Sequence, residues 1–165
     1  MTAAHFTNYP ARVTSAPGID VLQLHNDAER DGITKLASGA IVHAEGEVLI
    51  LRRCAEDDFM AGIEELPSGG VEPSENLLTA LQRELTEEIG WTGALTLDPG
   101  FVAHFDYISG SSRKTRQYTF AVPHQGQPIV LSREHTAYRW LHPTDLPDSD
   151  LTPETAQAIR AWAAS

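Results

Sequence analysis

Between residues 77 and 89 the apolar positions recur with helical spacing. At about 100° per residue, Leu77, Leu78, Leu81, Leu85 and Ile89 fall within one arc of roughly 120°, the stripe that an amphipathic helix turns toward a core. Thr79, Gln82, Arg83 and Thr86 fall opposite and predict a wet side. Ahead of this helix, residues 33–43 and 47–53 are rich in β-formers around the turn-like Ala44, Glu45 and Gly46, which predicts a hairpin. Residues 54–62 read as a loop and 63–67 as a short strand. Beyond the helix, strand-like runs occupy 94–97, 101–108, 117–122, 128–131 and 138–141, with Trp140 facing a core. Thr152 is a good N-cap, Pro153 suits a first helical position, and Ile159 with Trp162 forms an i, i+3 apolar pair, so the chain closes on a helix. Residues 1–32, with Pro10, Pro17 and Gly18, read as an irregular arm holding at most one short strand over 19–24. Strands on both sides of one long helix indicate an α/β class, with a single domain over 33–165.

Composition narrows the function classes. A formal net charge of −11 argues against broad binding to nucleic acid or to anionic membranes, because both attract basic surfaces. A phosphorylated small molecule stays compatible, since a few clustered cations and metal ions can receive it. The one cysteine, Cys54, excludes an internal disulfide and a cysteine-based zinc site. No apolar run reaches membrane-spanning length and the N-terminus lacks a signal-peptide layout, so the expected compartment is the cytoplasm.

Glu84, Glu87 and Glu88 change the picture. Their i, i+3, i+4 spacing gathers three acids within roughly 100° of the helix, and Glu88 lands inside the edge of the apolar stripe. Like charges at this spacing repel, and a carboxylate driven toward a core is penalised unless something positive compensates it. A hard divalent cation compensates all three, and Mg²⁺ commonly sits between carboxylates and substrate phosphates. The bland alternative is a solvated acidic helix face.

Gly69, Glu75, Arg83, Glu84, Leu85, Glu87, Glu88 and Gly90 fill every fixed position of the Nudix box, so the chain resembles the Nudix hydrolases. Trp91 stands where that family usually has a bulky aliphatic residue. Ser68 stands where many members have a glycine whose carbonyl ligates metal, and serine fits poorly if the loop needs φ > 0 there. The resemblance implies an α/β/α sandwich with a mixed β-sheet. It also implies Mg²⁺-dependent hydrolysis, with Mn²⁺ as the other candidate cation, of a nucleoside diphosphate linked to another group. The alternative is a catalytically silent Nudix domain that binds a nucleotide as a sensor. Homodimers are common among such proteins.

By that resemblance Ser68, Glu84, Glu87 and Glu88 are the expected metal ligands, and Glu84 is also a candidate general base. Arg83 pairs with Glu75 to brace the loop and helix. Glu134, in SREHTAYRWL, is nominated as a further ligand or base. Arg52 and Arg53 end a strand near the expected phosphates, and alternation lets only one of them face a given site. Tyr107, His104 and His135 are further candidates. Residues 109–116, SGSSRKTR, read as a turn-rich loop whose Arg113, Lys114 and Arg116 are expected to bind phosphate or steer an anionic substrate.

Overall fold

The computed structural model describes residues 13–15, 17–56 and 61–165. In chain order the elements are β1 (Val13–Ser15), α1 (Val21–Arg30), β2 (Lys35–Ala44), β3 (Glu47–Arg53), β4 (Glu64–Glu65), β5 (Ser68–Gly70), α2 (Leu77–Ile89), β6 (Leu95–Thr96), β7 (Val102–Ile108), β8 (Lys114–Pro123), β9 (His135–Leu141), a 3₁₀ turn (Pro143–Asp148) and α3 (Pro153–Ala163). Among the described residues β2, β3, β4, β5, β7, β8 and β9 form a seven-stranded sheet. It is mixed, because β2 and β8 run parallel while the other pairs run antiparallel. β1 and β6 pair separately.

Two apolar layers explain the sandwich. Leu77, Leu81, Leu85 and Ile89 of α2 pack on Ala40, Val42, Leu49, Leu51, Tyr118, Phe120 and Val122. The alternate residues of the same strands, Ile41, Val48, Ile50 and Ala121, face the other way and meet Ala156 and Ile159 of α3. Period-two alternation thus splits the strands between a face for α2 and a face for α3. The predicted stripe of α2 is the observed one, with Leu78 at its partly buried edge. Trp140 packs against the α2-side core. Thr152 caps α3 as expected, its hydroxyl accepting from the Thr155 N–H, and Ile159 is buried with Trp162 packed nearby.

The predicted hairpin holds because Glu45 and Gly46 both take left-handed backbone, φ 53° and 80°, as a two-residue type I′ turn requires. Two other expectations need correction. Residues 19–24 are not a strand; the Asp20 side chain accepts from the Gln23 N–H and opens α1, whose Val21, Leu24 and Ala28 turn one face onto the α2-side core. The arm is therefore helical over part of its length, and its first twelve residues lie outside the described ones. Residues 128–131 are not a strand either. The Val130 and Ser132 N–H groups donate to Ile89 and Glu88 carbonyls, satisfying the end of α2 instead of joining a ladder.

β8 starts earlier than its sequence suggests, at Lys114, which brings Arg116 into the sheet. There Arg116 is 5% exposed. It donates to both Asp106 carboxylate oxygens and to Asp31, which hold its guanidinium firmly protonated and lower both aspartates. The same strand face carries Tyr118, whose hydroxyl donates to the Leu24 carbonyl, so Arg116 looks toward α1. Arg116→Ala should cost roughly 1.5–3 kcal/mol of stability, the range for hydrogen bonds to charged partners. Denaturant titration checks this, with turnover of folded protein expected near wild type.

Candidate active site

Asn76 opens α2, its side chain accepting from the Leu78 and Thr79 N–H groups. Gly90 closes it in left-handed conformation at φ 71°, with the Gly90 and Trp91 N–H groups returning to Thr86 and Leu85 carbonyls. A Cβ on Gly90 would stand 2.9 Å from Val130, so both backbone conformation and space call for glycine there. Trp91 follows into the core at 1% exposure, filling an apolar pocket as an aliphatic residue would.

Arg83 organises the acids. Its Nε and Nη2 grip the Glu75 carboxylate at 2.7 and 2.8 Å, its Nη1 donates to Glu84 at 2.7 Å and more distantly to Glu87, and Nη2 also reaches the Gly70 carbonyl. Burial alone would raise Glu75, but the Arg83 fork and the Glu72 N–H leave it below the usual carboxylate range. Gly69 has a different reason to be glycine from Gly90. A Cβ there would overlap the Glu84 carboxylate, so the backbone of β5 can lie against that acid only without a side chain. Gly69→Ala should displace Glu84 and lower kcat by about tenfold or more, in line with the sensitivity of reacting groups to small misplacements. Steady-state kinetics with a matched melting curve checks this; a loss of stability without a kinetic change would point to packing alone.

Ser68 lies in the extended β5, paired opposite Gly39, and only Glu45 and Ser112 among described non-glycine residues take positive φ. Serine therefore fits. Its N–H donates to Glu88 at 3.0 Å. Glu88 is 4% exposed. Burial raises its pKa to about 9, reinforced by Glu84, Glu65 and Glu134, with the Ser68 N–H opposing. Glu84 is also raised, by burial first, against the pull of Arg83.

The acids do not gather as the helix spacing alone suggests. Carboxylate oxygens of Glu88 and Glu134 and a ring nitrogen of His135 lie within 4.8 Å of one another. Glu84 stands beside Gly69, and Glu87 is largely exposed, with Arg83 Nη1 3.4 Å from its carboxylate. Of the two candidate histidines, His135 is brought in. His104 is exposed, on the face of β7 opposite Phe105 and Tyr107, with its ring against Tyr118.

A cleft of about 420 Å³ adjoins this cluster, lined by Arg53, Glu65, Ser68, Gly69, Phe105, Tyr107 and Gln117 among others. Alternation decides between the paired arginines: Arg53 enters the cleft, whereas Arg52 donates to the Gly62 carbonyl and pairs with Asp150 and Glu64 outside it. Phe105 and Tyr107 stand with ring centroids 5.8 Å apart. Arg116 faces the other side of the sheet. Arg113 donates to the Thr34 carbonyl and lines a separate groove with Lys35 and His25. The expected cationic loop is thus not assembled at the cleft.

Glu65, Phe105 and Gln117 are cleft residues that sequence reasoning did not single out. Glu65 accepts from Arg53 at 3.1 Å and lies 2.7 Å from His135 Nε2. Its neighbour Glu64 is structural, buried beneath a two-pronged contact from Arg139 at 2.7 Å and the Asp150 N–H. Only the alternation of a two-residue strand separates these adjacent acids, and no motif marks it.

The donor set fits a divalent cation. Carboxylates of Glu88 and Glu134 converge at a cleft edge where the buried Glu88 has a backbone N–H but no cationic side chain against it in any described hydrogen bond or ion pair. Among the described residues no helix is long and apolar enough to cross a membrane.

Comparison with known proteins agrees with this geometry. The CTP pyrophosphohydrolase of Escherichia coli K12 is 31% identical over 125 residues, covering 76% of this chain and 88% of that protein. The asymmetrical bis(5'-nucleosyl)-tetraphosphatase of Sus scrofa is 43% identical over 77 residues, covering 46% of this chain and 52% of that protein, so the chain spans about half of that relative's length. The crystal structure of a MutT protein from Methanosarcina mazei Go1 superposes with a TM-score of 0.67 at 26% identity, covering 79% of this chain and 93% of that one. The NUDIX domain family profile matches residues 34–162. With its box residues placed as above, the chain belongs to the Nudix hydrolase family.

Proposed function

We propose that this protein is a Mg²⁺-dependent pyrophosphohydrolase acting on a nucleoside diphosphate linked to another group. The observation that carries the reading is the buried Glu88, fixed by the Ser68 N–H and converging with Glu134 at the edge of a cleft that also presents Arg53 and two aromatic rings. Relatives whose names specify nucleotide pyrophosphate or polyphosphate cleavage support it.

Glu88 and Glu134, whose carboxylates converge, would hold the cation, with Glu84, Glu87 and the Ser68 backbone as the further ligands that the family resemblance implies. When bound, it would neutralise anhydride oxygens and make water a better nucleophile. The chain's own residues do the rest. Arg83 holds Glu84 in place through a fork anchored on Glu75, so Arg83 is a positioning residue. Glu84, raised by burial into a more basic range, accepts the proton of the attacking water as it adds to phosphorus and the bridging P–O bond breaks. Glu134 at the cluster's exposed side is the second candidate for that proton. Arg53 meets a phosphate, and Phe105 with Tyr107 offers stacking surface to a base.

A panel of nucleoside triphosphates, oxidised nucleotides, nucleotide sugars, ADP-ribose and dinucleoside polyphosphates, assayed with Mg²⁺ and product identification, tests the reading. The expected result is cleavage of an anhydride bond in at least one class. Tight nucleotide binding without cleavage of any of them would favour the sensor alternative.

A further inference from the structure

His135 is the most buried titratable group beside the acids, its side chain 0% exposed. One ring nitrogen, Nε2, is committed to Glu65 at 2.7 Å. The other, Nδ1, is buried and has no hydrogen-bond partner. A buried polar atom left without a partner is destabilising unless something satisfies it, so its position calls for an explanation. The neighbourhood supplies one, because a His135 ring nitrogen and carboxylate oxygens of Glu88 and Glu134 stand within 4.8 Å of one another, close enough to share an ion.

We propose that His135 is itself a ligand of the active-site cation, giving Nδ1 beside the carboxylates of Glu88 and Glu134 while Glu65 holds the ring through Nε2. The arrangement is the familiar one in which a ligating histidine donates its other N–H to a carboxylate, which fixes both tautomer and ring orientation. Glu65 also accepts from Arg53, so one carboxylate couples the cation's nitrogen ligand to the cationic side chain in the cleft. A mixed nitrogen and oxygen set has a consequence for selectivity. Imidazole adds more to the binding of Ni²⁺ than of Mg²⁺, which keeps to oxygen. The proposal rests on the metal-dependent reading above.

Electron spin-echo measurements on Mn²⁺ bound to the full chain, prepared with natural and with ¹⁵N-labelled histidine, read the ligand directly. The expected result is modulation from a directly bonded nitrogen that changes with the isotope, disappears in His135→Gln and persists in His104→Gln. By calorimetry His135→Gln should weaken Ni²⁺ at least about tenfold and Mg²⁺ less than about threefold. Mn²⁺ that binds in a Glu88-dependent way without nitrogen modulation in the wild type overturns the His135 assignment alone. The same holds if the modulation survives in His135→Gln. Mn²⁺ binding indifferent to Glu88→Gln overturns the cation site, and this inference with it. The wild-type isotope comparison decides even if His135→Gln does not fold.

Discussion

Glu88→Gln should lower turnover of the preferred nucleotide by about 10²-fold or more, the rate equivalent of losing a few kcal/mol of metal-derived stabilisation, while the protein stays folded. Its metal-free form should melt at a higher temperature than wild type, and by more at pH 8 than at pH 5. The sign follows from burial. Glu88 sits at 4% exposure with its folded-state pKa raised to about 9. Between the ordinary glutamate value near 4.5 and about 9, the folded wild type holds a proton that the unfolded chain has released. Stability is therefore full below that window and is lost as pH rises through it. Glutamine keeps the Ser68 N–H contact and carries no such penalty. Melting curves at the two pH values, with chelator present, check this. A Glu88→Gln variant less stable than wild type at pH 8 would mean that the carboxylate is compensated within the protein itself.

Glu84→Gln should lower kcat by about 10²- to 10⁴-fold, the usual range for a general base, and change KM much less. The motive is geometric: the carboxylate lies between Arg83 Nη1 at 2.7 Å and the backbone of Gly69, so its position is set from two sides. Glu134→Gln is the comparison. Should it cost far more than Glu84→Gln, the proton-accepting role passes to Glu134.

The sandwich and its long helix were legible because burial writes a period into the chain. The stripe from Leu77 to Ile89 needs one buried face, and Glu45 with Gly46 has few conformations to choose from. The misread pieces are those where a short apolar run fits two structures. Residues 19–24 became a helix because Asp20 supplied a cap and Ala28 extended the face beyond the run. Residues 128–131 look like a strand, but their donors are drawn to the carbonyls at the end of α2.

Within the site, the box residues were readable as a set because their spacing follows one loop and one helix. Residues from other strands were not. Arg53 and Glu65 meet one another beside His135, while Arg52 pairs with Asp150 and Glu64 with Arg139, a choice made by strand register that composition cannot express. Arg116 shows the converse. Its charge marked it for substrate, yet Asp106 and Asp31 take up that charge on the α1 side of the sheet. Neither aspartate is near it in sequence, so only the fold reveals the pairing.

On the proposed function, the Glu88 cluster serves cation-dependent cleavage of a nucleotide anhydride bond. The most direct measurement follows the nucleotide panel by phosphorus NMR, with Mg²⁺ and again with chelator, for wild type and Glu88→Gln. New phosphate monoester resonances are expected from at least one substrate, present only with Mg²⁺ and reduced by about 10²-fold or more in the variant. Equal cleavage with chelator, or equal cleavage by wild type and Glu88→Gln at limiting Mg²⁺, would contradict it.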